Sequence, residues 1–414
     1  MRADSGLLSL WAMRFGAMFA SALMMPVLTV WLEPELGVRR YGMLLSAANA
    51  ATLLGGPAFG RLADAHGRRL GLIACTASNM AGMVLLLTGS LTGAIAFSCA
   101  GRIVQSVCNR SLAGLTQAAV KDGPRHMALV RSSVGLGFAI GNALGGLLTT
   151  DSATLPLALA CAISLVPVVL ALVGPQLSAP PAAANGHANG HAESASAWTA
   201  LAAALKQRRM CALMLIFHIS GFSFHVFTST WSAALRARMG YSPAQFGYML
   251  AYVGWSFALT NLFVVPSFIA LAPETTMLKA ALLTAAVGRA VLTGAGVTYH
   301  FLIGFLITAL GRATAGTLCA TLSARAAPRG HRAAILGLGE SIFGAAGVYA
   351  PFVSAELLER HGPCAPAAAS CAAMLVVFAV ACAELRASDE GVPKEAPQPR
   401  GPVTRRRAKA MKAD

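Results

Sequence analysis

Charge is scarce in this chain. Asp, Glu, Lys and Arg make up 12 % of its 414 residues, against about 25 % for a domain whose surface faces water. With apolar residues at 56 %, the shortage excludes an ordinary soluble enzyme of this length, and equally a disordered or collagen-like chain. Cysteine occurs nine times, yet no C-x-x-C pair and no metal-ligand spacing is formed. These residues mostly fall inside apolar stretches and read as small core residues rather than a disulfide framework. Walker A, G-x-S-x-G and H-E-x-x-H patterns are missing, which argues against ATP drive and against nucleophilic or zinc hydrolysis. No cofactor, no metal and no enzymatic activity are expected. Nor is a cleavable leader: the first apolar stretch, 7–31, is too long for a signal h-region.

Long apolar runs are plentiful. They cover roughly 7–31, 41–62, 70–91, 93–117, 131–150, 153–174, 210–231, 244–271, 275–297, 299–322, 333–354 and 366–386. About 20 apolar residues cross the ~30 Å of bilayer hydrocarbon, so the pattern predicts an all-α membrane protein with twelve transmembrane helices. The net charge of +16 sits in short loops and in the tail, where Arg405, Arg406, Arg407 and Lys409 form a run. Positive charge beside spans orients a membrane protein and meets anionic headgroups, so nucleic acid is not the expected partner. With the N-terminus inside, fourteen Lys and Arg outside the tail fall on the inner side and five on the outer side. That bias predicts both termini in the cytoplasm, and the membrane is expected to be a plasma membrane or bacterial inner membrane, with an organelle membrane as the alternative.

The longest gap between spans, 175–209, holds Pro180, Pro181 and a small, polar NGHANGHAES tract, the composition of a flexible linker. Beyond it, Trp198–Arg209 reads as a short helix on the inner membrane surface. The expected domains are a six-helix bundle over 1–174, the linker over 175–209, a second six-helix bundle over 210–386 and a basic tail over 387–414. The bundles look duplicated. Arg102 in span 4 is matched by Arg312 in span 10, 210 residues later, and the G-L-G at 135–137 by that at 337–339, 202 residues later. A parallel repeat of this kind places a binding site between its halves near the membrane midplane.

The loop GRLADAHGRR, Gly60 to Arg69, joins spans 2 and 3. Gly60 and Gly67 permit a tight reversal, Asp64 can accept from backbone N–H groups at a helix start, and Arg68 and Arg69 anchor the loop at the inner leaflet. The loop resembles the signature of the major facilitator superfamily, G-x-L-A-D-R-x-G-R-K/R, with Ala65 in place of the usual Arg. The resemblance implies two pseudo-symmetric six-helix bundles and transport of a small solute by alternating access. It makes Gly60, Asp64, Gly67, Arg68 and Arg69 a gate element. Span 4 carries Arg102-Ile-Val-Gln105, similar to the family's R-x-x-Q-G, with Asn109 and Arg110 on the same broad face. That stripe faces a hydrated cavity, or is a structural Arg held by carbonyls. Span 5 carries Gly137, Gly141, Asn142, Gly145 and Gly146, similar to the exchangers' G-x-x-x-G-P-x-x-G-G with Asn142 where Pro is usual. The same glycines also suit plain close packing of helices.

The ionisable residues inside spans are mainly basic: Arg14, Arg102, Arg110, Arg289 and Arg312, against Glu340 as the clear acid. Such a balance favours an anionic cargo in a cavity lined by Arg14, Arg102, Gln105, Asn109, Arg110, His218, His225 and Arg312. Exchangers of this family often carry an acid in span 1, where this chain has Arg14. Proton coupling therefore falls to His225 or Glu340, His titrating near physiological pH, although both histidines also suit packing between helices. The expectation is a monomeric, proton-coupled antiporter in the drug and tetracycline efflux branch. The rivals are a facilitator or importer of an organic anion, and a transport-dead receptor acting through its tail.

Overall fold

A computed structural model of the chain describes residues 5–119, 124–149, 152, 154–174, 206–265, 267, 272–326 and 332–385. Its regular elements are all helical: α1 Ser5–Val27, α2 Glu33–His66, α3 Arg68–Thr92, α4 Ile95–Ala119, α5 Pro124–Thr149, α6 Thr154–Val173, α7 Arg208–Thr228, the short α8 Trp231–Met239, α9 Pro243–Leu259, α10 Glu274–Gly294, α11 Thr298–Ala326, α12 Arg332–His361 and α13 Ala365–Glu384. Each apolar stretch of the sequence holds one of the twelve long helices.

Among the described residues, nine segments are long and apolar enough to cross a membrane. The first, Gly6–Leu53, has 48 residues, roughly 72 Å of helix at 1.5 Å per residue, a length that suffices for two crossings. Its turn is the charged run Glu33 to Arg40, broken at Gly37 with φ 74°. The polar α4 falls outside the nine, and α5 contributes a shorter apolar piece, Ser133–Thr149. Only 33 % of the Thr154–Val173 window is buried inside the protein. The Leu and Val side chains it leaves exposed, such as Leu165, Val169 and Val173, need lipid rather than water around them.

Several boundaries differ from the sequence reading, for local reasons. No open loop follows the first stretch. Pro26 lacks a backbone N–H, and the helix widens into a π turn, Leu28–Leu32, before running into α2. The expected span at 244–271 is a helix to Leu259 followed by a second π turn, Thr260–Val264. It begins at a capping box, Ser242 with Gln245 and Pro243 at the first turn. The α12 helix passes the expected end at 354 and reaches His361, where Gly362 at φ 83° stops it. Of the expected surface helix at 198–209, Arg208 and Arg209 belong to α7, and 198–205 lie outside the described residues, as do 175–205 of the linker and the tail 387–414.

The repeat is visible in the packing. Gly137 meets Phe15 where α5 lies along α1, and Gly339 meets Phe217 where α12 lies along α7; both partners are 202 residues apart. One turn on, Gly141 abuts Phe19, and the same contact reappears with the residue types exchanged, Phe343 against Gly221. Gly101 and Gly311, each preceding its arginine, press against α3 and α10 respectively. Glycine at these points lets backbones approach within side-chain distance.

Two helix pairs make most of the contact between the halves. On α5, Gly146 faces Gly247 of α9, where an added Cβ would stand 2.8 Å from the Gly247 Cα. On α2, Gly42 faces Pro351 and Ala355 of α12. Both contacts lie toward the face where α1 and α7 end, here called the far face. The terminal face, where α1 and α7 begin, gathers intra-bundle ties instead: Arg69 donates to the Leu172 carbonyl, Arg208 pairs with Glu384, and Arg325 with Glu274 at 2.8 Å.

Candidate functional site

The polar residues of α4 build a continuous network inside the first bundle. Arg102 donates to the Gln105 Oε1 at 2.6 Å and to the Ser106 hydroxyl at 2.9 Å. Gln105 and Asn109 both donate to the Ser21 hydroxyl of α1, at 2.6 and 3.0 Å. Arg14, buried, donates to the Asn109 carbonyl at 3.0 Å and to its Oδ1 at 3.1 Å. Residues 102, 105 and 109 therefore share a face, as their spacing predicted, and their guanidinium partners here are neutral oxygens. Ser21 was not legible as a site residue. Its only signal is the serine 202 residues later, Ser223, which binds the Ser370 hydroxyl at 2.8 Å in the second bundle.

Arg110 leaves that network and points between the bundles. It donates to Asn49 of α2 at 3.1 Å and lies against Gly344 of α12. Opposite, Arg312 of α11 sits over the rings of Phe224 and Phe343, at 4.4 and 4.8 Å from their centroids. His225 of α7 lies among them. Its ring packs against Phe224 and Phe343, its Nε2 and the side chain of Asn49 both border Gly347, and Arg110 and Arg312 are its charged neighbours. Arginines from both bundles, a histidine and two phenyl rings thus converge where α2, α4, α7, α11 and α12 meet. The rings were invisible to a search for polar residues, though Phe224 adjoins His225 in the sequence.

His218 stands apart from this cluster. Its Nδ1 is 3.2 Å from the Ile342 carbonyl and its Nε2 2.9 Å from the Tyr349 hydroxyl, and Tyr349 lies across α12 from the glycines that face α2. Arg289 is buried in α10 with Phe227 under its guanidinium at 3.9 Å, a bundle-interior position. Glu340 is in α12, and its side chain lies outside what the structure describes, as do those of Gly60, Asp64 and Arg68. Of the signature loop, Gly67 carries φ 93° between α2 and α3, a conformation open to glycine. The second-half counterpart keeps an acid: Glu274 follows Asp64 by 210 residues, the same interval as the two arginines, and makes the ion pair with Arg325. In the span-5 motif, Gly137, Gly141 and Gly145 face α1, while Gly146 faces α9. Asn142, fully buried, donates to the Phe138 carbonyl at 2.8 Å and presents its own carbonyl to Gly247.

On the far face the bundles are tied by charge. Glu33, with 2 % of its side chain exposed, accepts from Arg236 of α8 at 3.0 Å and from Ser232 at 2.9 Å. Arg236 also donates to the Thr29 carbonyl. Beside this, Arg39 lies 3.8 Å from Glu356 and 5.9 Å from the Phe352 ring centroid. From sequence, Arg39 and Arg236 count only among the positive charges of the outer side, and the residues they meet carry no motif.

The model of the Major Facilitator Superfamily matches residues 10–272 and 213–413. The chain belongs to this superfamily. It is an integral, multi-pass membrane protein with the superfamily fold. Solved structures similar to it include the human organic anion transporter MFSD10 (TETRAN), at 18 % identity and TM-score 0.68, covering 91 % of this chain and 99 % of that one. The nucleoside transporter NupG matches at 15 % identity and TM-score 0.70 over 93 % and 99 %. The peptide transporter POT in complex with alafosfalin matches at 16 % and 0.63 over 93 % and 96 %. At these identities the likeness is one of fold. A comparison with curated protein sequences finds no match.

Proposed function

We propose that this protein carries a small organic anion across its membrane by alternating access, binding it between the two bundles at Arg110, Arg312 and His225. That it moves a small solute follows from its superfamily; the charge of the cargo is read from the site. One observation carries the reading: each bundle contributes an arginine to the same junction, with phenyl rings beside them. Positive charge brought to one junction from both bundles suits an anionic cargo. Phe224 and Phe343 suit a cargo with an apolar or aromatic body. The gate role of the Gly60–Arg69 loop, the cytoplasmic termini, the monomeric state and the absence of a nucleic-acid partner belong to the same proposal, as does a transporter without enzymatic activity or cofactor.

Electrostatics also bears on coupling. An anion in this site and a proton on His225 or Glu340 favour one another's binding, so they travel together. Proton exchange, which the span-5 resemblance implies, requires a cargo that competes with the proton, as a cation does. The cationic junction therefore favours the importer reading over efflux by antiport. Counterflow in proteoliposomes, with matched anionic and cationic solutes at two pH values and with or without a proton gradient, tests both points. The expected result is accumulation of anions, raised by acid on the side of uptake. Preferential transport of cations against a proton gradient would overturn the proposal and restore the antiporter.

A further inference from the structure

The far face is shut by contacts that an alternating cycle must break, and one of them has unusual chemistry. Glu33, at the start of α2, is enclosed by α8 with Arg236 and Ser232 and, on its own helix, by Tyr41, behind which Arg102 of α4 stands. It belongs to the first bundle, and Arg236 and Ser232, which donate to it, belong to the second. Arg236 makes a further bond across the junction to the Thr29 carbonyl. The helix that carries these donors, α8, has nine residues and is held by Trp231, which packs on Phe246, Phe301 and Phe305 of α9 and α11. A movement of the second bundle therefore moves Arg236 and Ser232 with it.

We propose that Glu33 and Arg236 form the gate that closes the far face in each transport cycle, and that the gate closes with uptake of a proton at Glu33. The proposal rests on alternating access, and not on the identity of the cargo. Its physical basis is the change in surroundings. In the closed arrangement Glu33 has almost no contact with water, and one cation and one hydroxyl replace its hydration. Once the bundles part, the carboxylate faces solvent in the turn between the first two crossings. Burial pushes the closed-state carboxyl up to about 7, with Arg236 and Ser232 opposing the rise. The open state has the ordinary value near ~4.3. The arrangement that holds the proton more tightly is favoured by acid, so closure is strengthened below about pH 7 and opposed by a buried charge above it. Arg236 keeps its bond to the Thr29 carbonyl in either protonation state, so loss of the charge does not release the gate.

The test measures the distance across the gate rather than flux. Spin labels at Glu35→Cys and Ala237→Cys, both exposed positions, are placed in the full chain after its exposed cysteines, Cys211, Cys364 and Cys382, are replaced by serine. Double electron–electron resonance in lipid nanodiscs then reports the closed and open populations. From pH 6 to pH 8.5 the closed-to-open ratio is expected to fall on the order of tenfold, from the two carboxyl values above. Glu33→Gln should stay closed with no pH response, and Arg236→Gln should lower the closed fraction at both pH values. A ratio that does not change with pH overturns the proposal, and this reading needs no Glu33 variant to fold. So does a Glu33→Gln protein that titrates like the parent. Anion transport can fail its own test while this distance change persists, or the reverse, which separates the two proposals.

Discussion

Arg312 shows how one side chain defines the character of the junction. Its guanidinium is flat and lies against two phenyl rings, a geometry that an ammonium does not reproduce. Arg312→Lys keeps the charge and loses the stacking, worth about 1–2 kcal/mol in a desolvated site. Uptake assays on the proposed anionic cargo should then show KM raised roughly tenfold with kcat little changed. Arg312→Gln, which removes the charge as well, should cost more, and equal kinetics in the two variants would argue that Arg312 does not meet the cargo. The polar stripe of α4 was legible from spacing, because residues three and four apart must share a helix face. That Arg110 turns away from it was not legible, because the direction depends on Asn49, 61 residues earlier in the chain.

At the scale of helices, glycine sets how closely the elements approach. At Gly141 an added Cβ would lie 2.6 Å from the Phe19 carbonyl oxygen and 2.7 Å from the Ala22 Cβ, whereas at Gly294 nothing lies within 4 Å among the described residues. Thermal unfolding in detergent should therefore separate the two alanine variants. Gly141→Ala is expected to lose about 1–3 kcal/mol through overpacking, and Gly294→Ala to stay within about 0.5–1 kcal/mol of the parent, on the stable side if it moves. The glycine pattern of span 5 was readable as a packing face. Its division was not: three glycines serve α1 inside one bundle and Gly146 serves α9 across the junction, and a sequence motif does not say which neighbour each face receives. The π turns were equally hidden, since an extra residue in a turn changes neither hydropathy nor charge.

At the scale of the molecule, the proposed topology, twelve crossings with both termini inside, predicts which segments share a side. Single cysteines placed within Gly60–Arg69 and near Pro180 should be labelled by impermeant reagents from the same side, the inner one, and a cysteine at Ala237 from the other. Labelling of the first two from opposite sides would contradict the twelve-crossing arrangement. The ends of α7 and α13, joined through Arg208 and Glu384, agree with a closed bundle whose first and last helices meet at one face.

The sequence alone determined that this is a helical membrane protein made of two related halves. Apolar run length, loop charge and the 202- and 210-residue intervals are all local or periodic quantities, and the bilayer reads them without reference to tertiary contacts. The fold decided which charges meet. Arg110 and Arg312 converge on His225, and Glu33 finds Arg236, only after helices far apart in the chain are brought together. Such encounters leave no pattern in sequence spacing, because the energy that selects them is the desolvation of particular groups against particular partners.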